Sequence, residues 1–354
     1  MKKQDRMYVD IHVIQTLPPS CVNRDDTGSP KTAYYGGVTR ARVSSQAWKR
    51  QVRLAFADTL PEGDLSFRTK KIVPLLADKL VSLGFEGDAE KQAIKLYELA
   101  GLKIKNAKIG TDALFFISDA QVEALARLAM KEETPDKKAA QAALTEKPRI
   151  DIVLFGRMVA NEQSMNTDAC VQVAHAISTH RVENEYDYFT AVDDCSPEDN
   201  AGAGHVGTVE FNSSTMYRYA TVAVHQLYPH TKDETADAVA AFVKAFVCAM
   251  PTGKQNTFAN RTLPDAVLVT IRRDQPLNLV GAFEKPIRPS DNGYVEASAK
   301  RLADYAKKCY SSFADKPEAS LVAGELLGDI ATPQPLGELL DELRIHINEL
   351  GAEA

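Results

Sequence analysis

The sequence predicts an α+β protein with a split βαβ, ferredoxin-like arrangement, a helical insertion and an extended projecting segment. Three observations support this prediction. Without its insertions, the chain has the order strand, helix, strand, strand, helix, strand. Between about residues 67 and 147, helical patterns follow one another with few strand signals. An irregular polar stretch, roughly residues 183–214, has the length typical of a functional loop.

The composition is that of a globular protein without a signal peptide or membrane span. The 354 residues are 44% hydrophobic and 25% charged, as in an ordinary globular protein. The five cysteines form no CxxC pair, which fits a reducing compartment and argues against structural zinc. The N-terminus lacks the apolar run of a signal peptide, and no stretch has the length of a membrane span. We therefore expect a cytoplasmic protein without membrane contact.

The first strand is predicted over residues 7–14. Val9, Ile11 and Val13 fall on one side, and Asp10 and His12 fall on the other, which is the period of a strand. A loop rich in turn-forming residues follows, up to Gly36 and Gly37. Residues 38–43 alternate again and predict a second strand.

An amphipathic helix is predicted after Ser44 and Ser45, whose hydroxyls suit a helix N-cap. Trp48, Val52, Ala55 and Phe56 fall on one face. The opposite face carries Gln46, Lys49, Arg50 and Arg53. From residue 27 to residue 57 there is no acidic residue, although the whole chain has 48 acidic and 42 basic residues. Such a local basic field favours phosphate binding despite the net charge of −6, but charge alone equally allows a solvated face.

Further strands are predicted over residues 150–155, 169–182, 215–227 and 266–273. Thr231 and Glu234 form a capping-box pattern that predicts the start of a helix. A final helical pattern covers residues 336–350.

Several chemical motifs are weak. Residues 202–207 read GAGHVG and satisfy GxGxxG, but a strand-like segment follows them, so we interpret them as a flexible loop tip. His175 and His180 would point to opposite faces of a strand, which argues against a shared metal ion, and His175 is predicted to be structural. The pairs Asp25-Asp26 and Asp193-Asp194 more often cap turns than activate water. We therefore predict no catalytic residue, no metal site and no cofactor.

The segment PTGKQNTFANR places Lys254, Gln255, Asn256 and Arg261 beside Phe258. Basic, amide and aromatic side chains together suit an RNA backbone with stacked bases. An ordinary connection between a helix and a strand is an equally good interpretation. The consensus for base stacking on an RNA-recognition sheet is absent.

Seven segments also carry a family resemblance: PSCVNRDD, GGVTRARVSSQAWKR, FGRM, AHAISTHRV, YFTAVDD, YRYA and FEKP. In their order and spacing, over about residues 7–290, they resemble the CasC-type backbone subunits of the type I-E CRISPR Cascade surveillance complex. The resemblance implies a modified RNA-recognition-motif palm, made of residues 1–60, 150–182 and 215–354 with the C-terminal helices. It also implies helical fingers, residues 61–149, and a thumb hairpin or loop, residues 183–214.

The function implied by the resemblance is sequence-independent binding of CRISPR guide RNA (crRNA) in antiviral defence. Copies of the subunit would form a helical filament with other Cascade subunits, and would kink the RNA at intervals so that its bases pair with target DNA. The implied RNA-binding residues are Arg24, Lys31, Ser44, Gln46, Lys49, Met158, Tyr188, Phe189, Thr190 and Val192. Lys254 and Gln255 are added from the loop described above, and Lys285 and Arg288 are further candidates to face nucleic acid.

Two other functions remain open. Backbone subunits of the type III kind cleave target RNA through an acidic residue in a palm loop, and Asp25 and Asp26 lie in such a loop of this sequence. A protein-assembly module without RNA is the second alternative. For four arginines, the sequence does not decide between contact with RNA, with a neighbouring subunit and with water: Arg40, Arg42, Arg50 and Arg53.

Overall fold

The computed structural model describes residues 6–59, 65–106, 108, 110–131, 135–191 and 205–352. Its strands are β1 Tyr8–Ser20, β2 Thr32–Tyr35, β3 Val38–Val43, β4 Ser66–Thr69, β5 Ile104–Asn106, β6 Gly110–Thr111, β7 Phe115–Ser118, β8 Val171–Val173, β9 Ala176–Ser178, β10 Glu185–Ala191, β11 His205–Ala223, β12 Ala266–Arg272 and β13 Ala319–Ala323. Its α-helices are α1 Ser45–Ala55, α2 Ile72–Ser82, α3 Ala89–Leu99, α4 Asp119–Lys131, α5 Lys137–Thr145, α6 Ile150–Phe155, α7 Val224–Thr231, α8 Thr235–Cys248, α9 Gln255–Phe258, α10 Val295–Ser312 and α11 Leu336–Ala352.

The chain divides into two compact units. The first unit comprises Met1–Ala55, Val173–Thr221 and Phe242–Ala354. The second unit comprises Phe56–Gln172 and Val222–Ala241. The chain therefore crosses between the units four times.

A large sheet forms the centre of the first unit, with the order β13-β12-β1-β11-β9-β3-β2. The β1–β12, β12–β13, β11–β9, β9–β3 and β3–β2 pairs are antiparallel. The β1–β12 register runs from Tyr8 opposite Arg272 to Ile14 opposite Ala266. This large antiparallel sheet with packed helices confirms the α+β class, and it confirms the strands predicted at residues 7–14, 38–43 and 266–273.

Helices cover both faces of this sheet. On β11, Met216 packs with Trp48 of α1, whereas Tyr217 and Tyr219 pack with Leu302 of α10. Because neighbouring residues of a strand point to opposite faces, α1 and α10 lie on opposite sides. Both faces of β1 are consequently buried, including the polar Asp10 and His12, which find hydroxyl partners in Tyr219 and Tyr217 at 2.9 Å each.

The second unit has its own core, formed mainly by apolar side chains of α2, α3, α4 and α5. The helical character predicted for this region is confirmed. Two small sheets, β4–β7 and β5–β6, were not predicted, because strands of two to four residues are too short to show a period.

Residues 150–155 form a helix, α6, so the strand prediction there was wrong. A short apolar run does not distinguish a buried helix from a buried strand. Asp151 is buried and accepts hydrogen bonds from the Ser66 backbone N–H at 2.9 Å and from its hydroxyl at 2.7 Å. Gly156 ends the helix with a φ of 76°, in the left-handed region that glycine tolerates.

The later boundaries also differ from the predictions. Residues 169–182 contain two short strands, β8 and β9, rather than one. The strand predicted to reach residue 227 ends at Ala223, where α7 begins. Thr231 does not cap a helix through its side chain: it is the last residue of α7, and its hydroxyl donates to the Leu227 carbonyl at 3.2 Å. The helix predicted at residues 336–350 is confirmed as α11.

Within the segment of residues 183–214, predicted as irregular from its residues, two described strands pair. Strand β10 pairs with the first part of β11, from Glu185 opposite Phe211 to Ala191 opposite His205. We call these paired residues, 185–191 and 205–211, the arm. Gly207 is a strand residue, which corrects the loop-tip interpretation for 205–207, while 202–204 lie outside the described residues. None of the helices in the described ranges is long and apolar enough to cross a bilayer.

Candidate nucleic-acid interface

The loop between β1 and β2 is held by its own hydrogen bonds. The Lys31 backbone N–H donates to the Asn23 carbonyl at 2.8 Å. The Asp25 carboxylate accepts from the N–H groups of Thr27 at 2.9 Å and Ser29 at 3.1 Å, and from the Thr27 hydroxyl at 2.7 Å. The hydroxyl bond is the main reason why the pKa of Asp25 lies below its usual value. Asp25 therefore caps a turn, while Arg24 and Asp26 point to solvent.

Two cations, Lys31 and Arg42, lie at the end of this loop or beside it. The Arg42 guanidinium donates to the Thr32 carbonyl at 3.0 Å and lies 3.3 Å from the His175 ring. Partial burial, followed by the charges of Arg42 and Lys31, lowers the pKa of His175. His175 is exposed, which contradicts the structural role predicted for it. His180 is the structural histidine: it is buried and stacks on Tyr294 with ring centroids 3.6 Å apart.

Helix α1 begins next to the same loop. The Ser44 backbone N–H donates to the Asn23 side-chain oxygen at 2.8 Å, and its hydroxyl accepts from the Ala47 N–H at 3.4 Å. This confirms the predicted N-cap and leaves Ser44 mostly buried. Trp48 and Val52 are buried, as predicted, and Phe56 is buried in the turn after the helix.

Lys49, on the polar face of α1, has no acidic partner among the described residues. Gln46 and Arg50 are exposed, and Lys49 is half-buried. Burial lowers the pKa of the Lys49 ammonium group. Among the described residues, no carboxylate lies within 4.0 Å of it. A half-buried cation without a counterion is suited to receive an anion.

A shallow cleft lies between β1, the β1–β2 loop, β3 and β11. Its floor is apolar, with Leu17, Val22 and Met216. We call it the basic cleft, defined by its polar rim: Asn23, Lys31, Arg42, Asn212 and Ser214. The rim has two cations and three neutral hydrogen-bonding side chains, a combination that suits phosphate and sugar oxygens.

The segment around Lys254 approaches the β1–β2 loop. A Cβ on Gly253 would lie 2.1 Å from the Val22 carbonyl oxygen, so this contact requires glycine. Burial raises the pKa of the Cys21 thiol, the charges of Arg24 and Lys254 oppose that rise, and the charges of Glu210 and Asp25 add to it. Lys254 has a φ of 50°, and Gln255 begins the short helix α9.

The arm projects aromatic side chains to solvent. Every residue of β10 is exposed, including Tyr186 at 67%, Tyr188 at 65% and Phe189 at 38%. Phe189 lies opposite Gly207, and a Cβ at Gly207 would be 2.5 Å from its ring. At the base of the arm, Phe211 meets Phe258, with ring centroids 5.8 Å apart. The arm is thus anchored to the segment that carries Lys254.

Comparison with known proteins identifies the family. The family model for CT1975-like proteins matches residues 9–344. This chain belongs to the CT1975-like protein family. A chain of the solved structure "CRISPR RNA-guided surveillance complex, pre-nicking" is 34% identical, with a TM-score of 0.83, and the match covers 96% of this chain and 99% of that one.

A second solved structure, "CRISPR RNA-guided surveillance complex", contains a chain that is 30% identical, with a TM-score of 0.62 and the same coverage of 96% and 99%. Comparison with curated protein sequences gives no match.

The predicted contact residues of this CT1975-like chain fall into three groups. The structure brings Arg24, Lys31, Ser44, Gln46, Lys49, Lys254 and Gln255 into the first unit, on the loop, helix and segment described above. Tyr188, Phe189 and Thr190 lie on the arm, where Phe189 faces away from the other two because strand residues alternate. Met158 lies in the second unit and is 84% exposed. Val192 lies outside the described residues.

Two arginines of the seven segments quoted above are structural. Arg40 is fully buried, and its guanidinium donates to the carbonyls of Tyr35, Ser178 and Phe283. It therefore contacts neither solvent nor a partner, contrary to the options left open for it. Arg157, in the FGRM segment, is also buried and donates to the Met165, Phe116 and Leu144 carbonyls.

Three residues of the basic cleft were missed as candidate contacts from the sequence: Asn23, Asn212 and Ser214. Arg42, for which contact with RNA was one of the options left open, also lines the cleft. Asn23 had a usable signal, because an Asn in a turn-rich loop often binds a nearby backbone N–H. Asn212 and Ser214 had none, since they reach the cleft only through the pairing of β11. Lys285 and Arg288 are exposed. Within the described residues, no group of three His, Cys, Asp or Glu side chains is placed to share a metal ion.

Proposed function

We propose that this CT1975-like chain is a backbone subunit of an RNA-guided CRISPR surveillance complex and that it binds the guide RNA. The observation that carries the proposal is the basic cleft of the first unit, where Lys31 and Arg42 lie beside three neutral polar side chains. The loop that carries Arg24 borders it, and helix α1 with Lys49 begins at that loop through the bond from the Ser44 N–H to Asn23. An acidic protein with such a surface is suited to a polyanion. The similarity to two surveillance-complex chains supports RNA as that polyanion.

Binding is proposed to be independent of guide sequence. The side chains on the cleft and on α1 are cations, amides and hydroxyls suited to phosphate and sugar oxygens, which carry no sequence information. The exposed aromatic side chains of the arm suit unstacked bases. We propose that copies of the subunit, with other subunits of a type I-E Cascade, polymerise along the crRNA. The arm kinks the RNA at intervals, and the remaining bases pair with target DNA.

The sheet of the first unit is proposed to be the modified RNA-recognition-motif palm, and the arm the thumb. In this arrangement, the crossing of α1 over the sheet fixes Gln46 and Lys49, because Trp48 and Val52 anchor the opposite face of the helix.

We also propose that the chain does not cut nucleic acid. Asp25 is engaged in its own turn. The rival function, cleavage of target RNA through the palm loop, then depends on Asp26. Metal-dependent cleavage of an RNA paired to the bound guide, abolished by Asp26→Ala, would establish the rival and contradict this proposal.

Coexpression with a CRISPR transcript tests the proposed function. The purified chain, alone and with its partner subunits, is expected to retain RNA, and sequencing should identify repeat and spacer segments. Recovery of folded protein without nucleic acid in both preparations would favour the assembly module without RNA.

The α1 surface can be tested by combining Gln46→Ala with Lys49→Glu. We expect about tenfold weaker guide binding in gel-shift titrations, because one phosphate contact is lost and a repulsive charge is added. The matched control is Ser311→Ala with Lys307→Glu on exposed α10, across the sheet from α1. Unchanged affinity in the folded α1 variant, or an equal loss in the control, would contradict the assignment.

A further inference from the structure

The basic cleft of the first unit has hydrogen-bond donors on one side and acceptors on the other. The donor side is formed by the β1–β2 loop and β3, which supply Lys31 and Arg42. Asn23 belongs to this side, because its side-chain oxygen already accepts from the Ser44 backbone N–H at 2.8 Å, which leaves its NH₂ group for a ligand. All three groups donate, and they suit phosphate oxygens, which only accept.

The acceptor side of the cleft belongs to β11. Asn212 and Ser214 lie two residues apart on this strand and therefore point to the same face. Both residues are mostly buried, with 7% and 4% of their surfaces exposed. The Ser214 hydroxyl donates to the Met216 sulfur at 3.2 Å, so the lone pairs of its oxygen remain for a ligand.

A chain of hydrogen bonds fixes the orientation of the Asn212 amide. The Glu210 carboxylate can only accept, so the amide nitrogen of Asn184 lies toward it, at 3.2 Å. The Asn184 oxygen then accepts from the Asn212 amide nitrogen at 3.0 Å. Among the described residues, no donor contacts the side-chain oxygen of Asn212. Asn212 thus offers the cleft an acceptor that these residues leave unpaired.

Acceptors on β11 distinguish between the two kinds of sugar–phosphate backbone. The backbone of DNA has no hydrogen-bond donor, whereas each ribose of RNA carries a 2′-hydroxyl, which both donates and accepts. A DNA strand held by the donor side would cover the acceptors without pairing them, and an acceptor that loses its water without a new partner costs free energy. An RNA strand would supply the missing donor.

We propose that Asn212, assisted by Ser214, accepts a hydrogen bond from a ribose 2′-hydroxyl and thereby makes the basic cleft selective for RNA over single-stranded DNA. The inference rests on the proposed guide-binding role and adds a specificity to it. Such selection accepts any guide sequence, because every ribonucleotide has the 2′-hydroxyl. It also keeps target DNA out of the cleft that the guide occupies.

The test compares three single strands of one sequence: RNA, 2′-fluoro RNA and DNA. A 2′-fluorine keeps the ribose conformation of RNA but cannot donate a hydrogen bond. Binding of each strand to the full chain is measured by fluorescence anisotropy. Wild-type protein is expected to bind RNA about tenfold more tightly than either of the other strands. Lys31→Gln should weaken all three by a similar factor, about threefold, because they share the phosphates.

The acceptor is tested by Asn212→Leu, which replaces the amide by an apolar side chain of similar volume. This variant should bind RNA about five- to tenfold more weakly, without weaker binding of 2′-fluoro RNA. Ser214→Ala should lower the ratio of the two affinities about twofold. The matched control is Ser213→Val, on the exposed opposite face of the same strand, which should keep the wild-type ratio.

The comparison in wild-type protein does not depend on the folding of any variant. Equal wild-type affinities for RNA and 2′-fluoro RNA would overturn the inference and leave the guide-binding role intact. Failure to bind any of the three strands would overturn the guide-binding role and the inference with it. The inference is also overturned if folded Asn212→Leu protein keeps the wild-type ratio, or if the Ser213 control loses it equally.

Discussion

At the scale of single residues, Arg218 shows how the first unit uses a buried cation. Its guanidinium stacks on Trp48, 3.8 Å from the ring centroid, and on Phe246 at 4.6 Å. It donates to the Gln15 side-chain oxygen at 2.5 Å and to the Phe246 carbonyl. Burial lowers its pKa to about 9, so it is still charged at neutral pH. Through Trp48, this arginine holds α1 on the sheet.

We expect Arg218→Ala to lower the free energy of unfolding by roughly 3 to 5 kcal/mol, because it leaves a cavity and two unpaired acceptors. Arg218→Met should lose much less, since it restores apolar volume and removes the cost of a buried charge. Urea unfolding of the two variants measures this difference. Equal losses in both would show that the hydrogen bonds, rather than the packing, hold α1.

Buried arginines are also where prediction from sequence fails at this scale. Arg40 and Arg42 are two residues apart in one strand, yet one is fully buried and the other lines the cleft. Residues two apart in a strand point to the same face, so the period alone does not separate these two arginines. A sequence gives no means of knowing which carbonyls, here those of Ser178 and Phe283, will solvate a buried guanidinium.

At the scale of elements, the strength of a periodic pattern decided what could be predicted. Helix α1 was predicted correctly, including its cap and its buried face, because eleven residues show a clear period. Helix α6 was predicted as a strand, because its six residues, five of them apolar, are too few to show one. For the arm, the residues alone predicted an irregular stretch and the family resemblance a hairpin or loop. Every residue of β10 is exposed, so no hydrophobic alternation marks the strand.

The arm allows an experiment that displaces the Phe189 ring in one variant and replaces it in another. Gly207→Ala should displace the Phe189 ring, because the new Cβ would lie 2.5 Å from it. We expect this variant to loosen guide RNA in an assembled complex as Phe189→Ser does, seen as increased nuclease cleavage of the guide. Stability should change by less than about 0.5 kcal/mol in both, because the arm is exposed.

Phe313→Ser, which changes another exposed phenylalanine, is the control for this experiment. Unaltered guide protection in both arm variants would contradict the thumb role. Protection lost equally in the Phe313 control would show that the effect is unspecific.

At the scale of the whole molecule, burial shifts the pKa values of two groups, Asp10 and His12, in opposite directions. Desolvation raises the pKa of Asp10 to about 6, so this carboxyl adds stability as the pH falls through 6 towards its usual value. Desolvation lowers the pKa of His12 to about 3, so this ring removes stability as the pH falls below 6.5. Between about pH 4 and pH 6, their contributions cancel.

Removing one of the two groups should reveal the pH dependence that the other gives to the stability. Relative to wild type, His12→Asn should gain about 1.4 kcal/mol of stability for each pH unit lowered between 6 and 4, and Asp10→Asn should lose as much. Urea unfolding at several pH values measures both slopes. Parallel slopes for the two variants would contradict the opposite shifts.

The pairing of β1 with β12 can form only late in translation. β1 is made before both of its neighbours in the sheet, β11 and β12, and β12 begins only at Ala266, after roughly three quarters of the chain. At about 5 to 20 residues per second, β1 waits some 13 to 50 s with an apolar edge unpaired. In the meantime, most of the second unit has been made and can form its core. During that time, the unpaired edge of β1 is a surface that a chaperone can cover.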